Sequence, residues 1–361
     1  MSKLHTVFPQ DKKAEYLPSD TVEFKLSFEG RKYKKNSLRI SGSLQIQQAA
    51  ATIVAAATNI FYDSSTGVHG FFSEFATNME QVGIIENISN YPRLYKMKEV
   101  ARITKSGEIS SAKNLCELKM SSDGLTNKAM GGAAAADYAL PFSFHPDICM
   151  NNVDNDISFT KSGAVNIRTR VEAQNKTLWG SGSGVNNVVK ILDMQLQYET
   201  VPDDGKVLPI IMSTTHALKQ VIDSSNAHVS TTIPAVCTAV SASFLLASKD
   251  ADYAFNQTEL DEVPGVSRIQ FSWNDMTTGY LSFPLEDREE ILYNYLESMG
   301  SRGNNQIYFK KLANGKNYCV GLKFPSPTDL SNQSLGIEVT SDIGNTTPYY
   351  IFMVFRAIQK L

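Results

Sequence analysis

Alternation of apolar and polar side chains recurs along this chain and most restricts how it can fold. In residues 192–199, Leu192, Met194, Leu196 and Tyr198 alternate with polar side chains. A side-chain period of two is that of a β-strand with one buried and one wet face. Strands of parallel sheets are buried on both faces and give continuous apolar runs, so this alternation favours antiparallel sheets. The pattern predicts an all-β protein built from antiparallel sandwiches.

Further strands are predicted wherever the pattern recurs, at 21–28, 38–46, 165–172, 235–247, 268–273, 305–312, 317–324, 334–341 and 349–358. Helical spacing is rarer. The strongest helix prediction is Leu285–Met299, where Pro284 precedes an acidic first turn and Gly300 ends an apolar stripe. Its apolar residues Ile291, Leu292, Tyr295 and Leu296 are expected to face inward. A second helix is predicted over 213–223, and residues 47–60 fit either a helix or a strand.

A break in the middle of the chain divides it into two parts of similar length. The strand that ends near Tyr198 runs into Pro202, Asp203, Asp204 and Gly205, which are turn formers, and an apolar segment restarts at Val207. We therefore predict that these four residues form an inter-domain linker. The expected order is an N-terminal arm over 1–19, a first sandwich over 20–201, a linker over 202–206 and a second sandwich over 207–361. Each sandwich is long enough for eight strands, with a few short helices in loops.

Composition and motif searches indicate no catalytic, metal or nucleic-acid site. The net charge of −3 and the isoelectric point of about 6.0 give no global attraction to nucleic acid, so no sequence-specific nucleic-acid binding is expected. The five histidines and four cysteines lack metal-ligand spacing, and the cysteines are expected to be reduced and isolated. Paired carboxylates such as Asp203 and Asp204 fit a turn better than acid–base chemistry. We expect no enzyme activity and no cofactor. No stretch of the chain is typical of a signal peptide, which favours folding in a cytoplasm.

Four longer stretches together resemble the double jelly-roll major capsid proteins of the tectivirus and adenovirus-hexon lineage. They are DMQLQYETVPDDGKVLPI, LPFSFHPDICMNN, GFFSEFATNMEQVGIIENISNYPRLYKM and NQTELDEVPGVSRIQFSWNDMTTGYLSFPLE. The resemblance covers most of the chain from about residue 20 and contains no catalytic or metal signature. It implies two jelly rolls in each subunit and three subunits in each pseudo-hexagonal capsomer of an icosahedral double-stranded DNA virus shell. The implied partners are the chain itself and neighbouring capsomers. Contacts with minor or vertex proteins and with an internal membrane stay open.

Two other functions remain compatible with the sequence. One is a minor capsid or vertex protein with the same fold. The other is a tandem β-sandwich that binds carbohydrate, which would use exposed aromatic side chains. Trp273 lies on the inward phase of its predicted strand, so only Trp179 is left as a sugar platform. The first 19 residues are expected to be an arm that becomes ordered on assembly, where it contacts neighbouring capsomers or the shell interior.

Overall fold

The structure is a computed structural model. It describes residues 2–48, 52–53, 60–102, 116–119, 139–180, 187–206, 209–223, 226–233, 235–262, 266–273, 281–284, 288–300, 317–331, 334–341 and 348–360. The predicted strand at 305–312 and most of the ambiguous stretch at 47–60 lie outside these residues.

The described residues form twenty strands, four α-helices and three 3₁₀ turns. The first half holds β1 (Lys3–Val7), β2 (Glu15–Tyr16), β3 (Thr21–Leu26), β4 (Arg31–Tyr33), β5 (Arg39–Gln48), β6 (Thr52–Ile53), β7 (Phe72–Met79), β8 (Gly83–Ser89), β9 (Leu140–Phe144), β10 (Ile157–Ser158), β11 (Val165–Val171) and β12 (Asn187–Pro202). The second holds β13 (Ile211–Ile222), β14 (Asn226–Thr232), β15 (Val236–Leu246), β16 (Val266–Trp273), β17 (Leu281–Pro284), β18 (Cys319–Asp329), β19 (Ser334–Ser341) and β20 (Tyr349–Lys360). The helices are α1 (Tyr91–Arg102), α2 (Phe159–Ser162), α3 (Gln174–Thr177) and α4 (Arg288–Ser298), and the 3₁₀ turns are Gly67–Phe71, Cys149–Asn151 and Ala247–Lys249.

Both halves have the same strand order, which is that of a jelly roll. In the second half one sheet runs β13-β20-β15-β18 and the facing sheet runs β14-β19-β16-β17. Numbered from the start of the half, the first of these sheets has its first, eighth, third and sixth strands side by side, and the facing sheet has its second, seventh, fourth and fifth strands side by side. The first half repeats this order, with β1 and β2 on β12, then β5 and β9, and with β3-β11-β7-β8 in the other sheet. The predicted pair of eight-stranded jelly-roll sandwiches is confirmed.

Period-two alternation has the predicted physical basis. In β3 the side chains of Val22, Phe24 and Leu26 are fully buried, and the residues between them are exposed. Buried apolar side chains form two clusters, of which the second lies wholly within residues 222–357. The first cluster belongs to the first half, apart from a few second-half residues that reach it from α4, β13, β18 and β20 and from Leu260. Each half therefore has its own core.

The helix prediction at Leu285–Met299 is confirmed over Arg288–Ser298, with Ile291, Leu292, Tyr295 and Leu296 at most 9% exposed. The helix predicted over 213–223 is wrong, because this stretch is part of β13 and pairs along its length with β20. Residues 216–220 are all half-buried, so period two is lost there and the spacing of the apolar residues imitates a helix.

The N-terminal stretch differs from the expected free arm. Within residues 1–19, β1 pairs with β12 from Lys3–Thr200 to Val7–Leu196, and β2 pairs with β12 at Tyr16–Ile191. The stretch therefore supplies the outer strand of the first sandwich. The sequence of β1 shows no alternation of apolar and polar residues, because β1 is an edge strand that has no buried residue, and Leu4 is exposed to solvent.

Candidate functional site at the junction of the two sandwiches

The two sandwiches meet along strands β8 and β13, which lie parallel in one continuous sheet. The ladder between them has a single bridge, at Asn87 and His216. The start of the β13 edge, residues 211–213, is bonded to the segment after the Cys149 turn. Ser213 N donates to Asn152 O at 2.9 Å, and Asp154 N donates to Ile211 O at 3.2 Å. First-half backbone thus takes the place of the missing strand partner.

Glu86 hydrogen-bonds to both halves at a point between the segment after the Cys149 turn and the Asn87–His216 bridge. Its side chain is 1% exposed, and its two carboxylate oxygens accept the N–H groups of Cys149 and Thr215, each at 2.7 Å. Burial raises the pKa of Glu86 to about 7. The two hydrogen bonds from backbone N–H groups lower this pKa, but their effect is smaller than that of burial. A single carboxyl therefore joins the backbones of both halves.

Helix α1 carries the strongest polar contacts between the halves. Arg93 is 4% exposed, and its guanidinium donates to the carbonyl oxygens of Gln257 (2.6 Å), Glu259 (2.8 Å) and Phe244 (3.2 Å). The guanidinium also lies 4.3 Å from the ring centroid of Phe352. Burial lowers the pKa of Arg93 to about 10, so the group stays charged at neutral pH. This first-half side chain is held entirely by second-half residues.

Lys96, one turn further along α1, lies in a buried charge cluster. Its ammonium is 2.9 Å from Asp63 Oδ2, and the same oxygen accepts the hydroxyl of Thr258 from the second half. Burial by itself raises the pKa of Asp63. The Lys96 charge and the hydroxyls of Ser65 and Thr258 outweigh burial and hold that pKa below its ordinary value. The carboxylate is therefore ionised and fully bonded.

The helices that follow the fifth strand of each sandwich also touch. Tyr295 of α4 donates its hydroxyl to the carbonyl of Met97 in α1. His69 lies under α1, where Tyr91 Oη is 2.8 Å from its Nδ1 and its ring stacks 3.5 Å from that of Tyr95. Burial lowers the pKa of His69, which favours the neutral form. Among the described residues, no cluster of three or more potential metal ligands is found.

The four residues predicted as a linker lie where the chain passes from β12 to β13. Pro202 is the last residue of β12, and Gly205 has a positive φ of 69°. The Lys32 ammonium is 2.5 Å from Asp204 Oδ1 and 3.6 Å from Asp203 Oδ1. A hydrogen bond from Ser158 lowers the pKa of Asp203, and one from Lys32 lowers that of Asp204. The turn is thereby bonded to β4 and β10 of the first sandwich.

A cavity of about 840 Å³ lies beside this turn, between the two halves. First-half residues from β4, β10 and the β7–β8 turn line one side, and the other side is lined by Pro202, Asp204, Lys206, Ile210 and Lys360. This cavity could not be predicted from the sequence, because its walls come from distant parts of the chain. The same holds for Glu86, Arg93 and Lys96, whose partners lie 31 to 166 residues away.

Comparison with known proteins gives a match in structure alone. No protein-family model and no curated protein matches this sequence. The Faustovirus major capsid protein superimposes with a TM-score of 0.63 at 9% identity, covering 100% of this chain and 90% of that chain. PBCV-1 VP54, fitted into a reconstruction of the virophage Sputnik, gives 0.61 at 8% identity, with 100% and 95% covered. The major capsid protein of Sulfolobus turreted icosahedral virus gives 0.53 at 8% identity, with 99% and 96% covered.

The chain has the double jelly-roll fold of these capsid proteins. At such low identities the likeness is one of fold, and it extends over both jelly rolls. Within the double jelly roll, Trp179 is half-buried and packs against Phe61, with ring centroids 4.9 Å apart. No helix among the described residues has both the length and the apolar character needed to cross a bilayer.

Proposed function

We propose that this chain is the major capsid protein of an icosahedral double-stranded DNA virus, with a structural role and no catalytic activity. The observation that carries the proposal is the match in fold to the Faustovirus major capsid protein over the whole chain. The matching strand order of the two halves supports it further.

The physical reason lies in the two similar blocks. Three copies around a threefold axis present six jelly rolls, so one trimer fills a position where a shell needs approximate sixfold packing. The proposed partners are therefore two further copies of the chain within the capsomer, and then neighbouring capsomers in the virion. Folding would precede assembly, in the host cytoplasm. Within this proposal Pro202, Asp203, Asp204 and Gly205 form the linker between the two jelly rolls.

The topology also separates the two ends of the molecule. Strand β12 ends and β13 begins at the same end, where β1 begins and β20 finishes. The connections that hold α1 and α4 lie at the opposite end, because each follows the fifth strand of its half. Loops at that end can vary without disturbing either core.

The test is the oligomeric state and outline of the purified chain. Light scattering and negative-stain imaging are expected to give trimers with pseudo-hexagonal outlines, and a stable monomer would contradict the proposal. Copy number in purified particles, measured by quantitative mass spectrometry, separates the major coat from a minor or vertex role. Only the major coat outnumbers every other shell protein. Glycan-array binding would instead support the carbohydrate-binding alternative.

A further inference from the structure

The cavity at the linker end has a lining of mixed chemistry. Lysine side chains from both halves and from the linker surround it, and among them Lys161, Lys206 and Lys360 are exposed. Among the described residues, no carboxylate lies within ion-pair distance of these three ammonium groups. Lys32 and Lys35 also line the cavity, but Lys32 is already bonded to Asp204 and the Lys35 ammonium donates to the carbonyl oxygen of Asp154 at 2.8 Å. The cavity therefore keeps three positive charges available for a ligand.

Apolar side chains lie between these charges. Val82, at the β7–β8 turn, is 45% exposed and lines the cavity together with Pro209 and Ile210. Exposed aliphatic side chains beside unpaired cations indicate a ligand that has both apolar groups and negative charges.

Acceptor groups in the same lining decide between classes of ligand. Asp156 and Asp204 both line the cavity, as does the amide of Asn155. Carboxylates can accept the backbone N–H groups of a peptide, whereas the phosphate groups of a nucleic acid or a lipid offer no such donor. A volume of about 840 Å³ is in the range of pockets that hold a short segment or a drug-sized molecule.

We propose that this cavity binds a short extended segment of a partner protein in which acidic and aliphatic residues alternate. Carboxylates of the segment pair with Lys161, Lys206 and Lys360, its aliphatic side chains lie on Val82 and Ile210, and its backbone N–H groups reach Asp156. The site is built by one chain, so the inference does not depend on assembly into a shell.

The experiment uses the full chain and a fluorescein-labelled octapeptide of alternating Glu and Val, followed by anisotropy. A triple variant, Lys161→Gln, Lys206→Gln and Lys360→Gln, is expected to weaken binding by about tenfold, since each exposed ion pair contributes a modest factor. The matched control, Lys12→Gln, Lys25→Gln and Lys323→Gln, removes the same charge at exposed lysines outside the cavity and is expected to bind like the original chain.

Two further arms test the apolar and peptide parts of the proposal. Val82→Ser is expected to weaken the Glu-Val peptide but to leave a Glu-Ser peptide unchanged. Absence of Glu-Val binding at millimolar peptide, or an equal loss in the control triple variant, would overturn the proposal. So would tighter binding of a single-stranded oligonucleotide or of phosphatidylglycerol vesicles, because the ligand would then be a phosphate.

Discussion

Replacing Arg93 with methionine tests whether buried hydrogen bonds from α1 hold the two jelly rolls together. Methionine keeps much of the volume but removes every donor. Each of the three carbonyl contacts involves a charged donor, and such bonds contribute about 1.5–3 kcal/mol each. Phe244 O also accepts the Asp261 N–H, so that carbonyl keeps a donor and its loss is smaller.

The remaining two bonds set the expected magnitude. Their loss, with about 0.5–2 kcal/mol for the stacked Phe352 ring, gives a destabilisation of about 3.5–8 kcal/mol. Arg93→Lys should keep at most one of these hydrogen bonds, because the three carbonyl oxygens are placed for the two terminal nitrogens of a guanidinium and a single ammonium cannot reach all of them. Arg93→Lys is therefore expected to lie between the methionine variant and the original chain.

The assay is the denaturant midpoint, followed by tryptophan fluorescence and by circular dichroism. Arg102→Met is the matched control, since Arg102 lies on the same helix with its side chain 57% exposed, and a change within about 0.5 kcal/mol is expected. The reasoning also predicts that the two probes separate in Arg93→Met, because each half has its own core. An Arg93→Met midpoint equal to that of Arg102→Met would refute it.

Three further predictions follow from buried groups. Burial raises the pKa of Glu86 from 4.5 to about 7, so the folded chain binds the Glu86 proton more tightly than the unfolded chain does. The stability that this proton contributes is therefore lost as the pH rises from 4.5 to 7, by about 3 kcal/mol. The difference in unfolding free energy between Glu86→Gln and the original chain should change with pH over this range and be flat above pH 8. Gly321→Ala places a new Cβ 2.9 Å from the Cβ of Ser298 in α4 and against the Ser298 hydroxyl, and should lower the free energy of unfolding by about 1–3 kcal/mol. Adding Ser298→Ala removes the hydroxyl and should recover part of this stability. An unchanged melting temperature in Gly321→Ala would show that α4 can shift freely. Cys116 is exposed and the other three cysteines are buried, so a thiol reagent should label one site per folded chain and four after denaturation; rapid labelling of a second site would contradict the burial.

Much of the fold could be predicted because, along a sandwich strand, each side chain is apolar where it faces the core and polar where it faces water. In β3 and β11 the alternation of buried and exposed side chains is nearly complete, and the sequence shows it directly. Strand β13 has neighbours on both edges and partial burial on both faces, so the same signal is absent. Strand β1 has no buried residue, and nothing in Lys3–Val7 marks it as a strand.

The junction could not be predicted for a different reason. Arg93, Lys96 and Lys98 make α1 look like a solvent-exposed helix in sequence, yet the structure buries the first two and leaves the Lys98 side chain 12% exposed. Their partners are Asp63, Asp147 and carbonyls of the second half, which only the tertiary fold brings together. A period or a motif describes neighbours along the chain. It carries no information on such distant pairs.

The chemistry of this junction bears on assembly. Apolar contacts are non-directional, so two sandwiches joined by apolar area alone could settle at a range of angles. The bonds from Arg93 to three carbonyls and from Glu86 to two backbone N–H groups are directional and tolerate little rotation. In the proposed capsomer, six jelly rolls must be equally spaced around the threefold axis, and only three of the six contacts between adjacent jelly rolls lie within a chain. We infer that the buried polar contacts fix this angle, so a subunit weakened at Arg93 should assemble less uniformly before it unfolds.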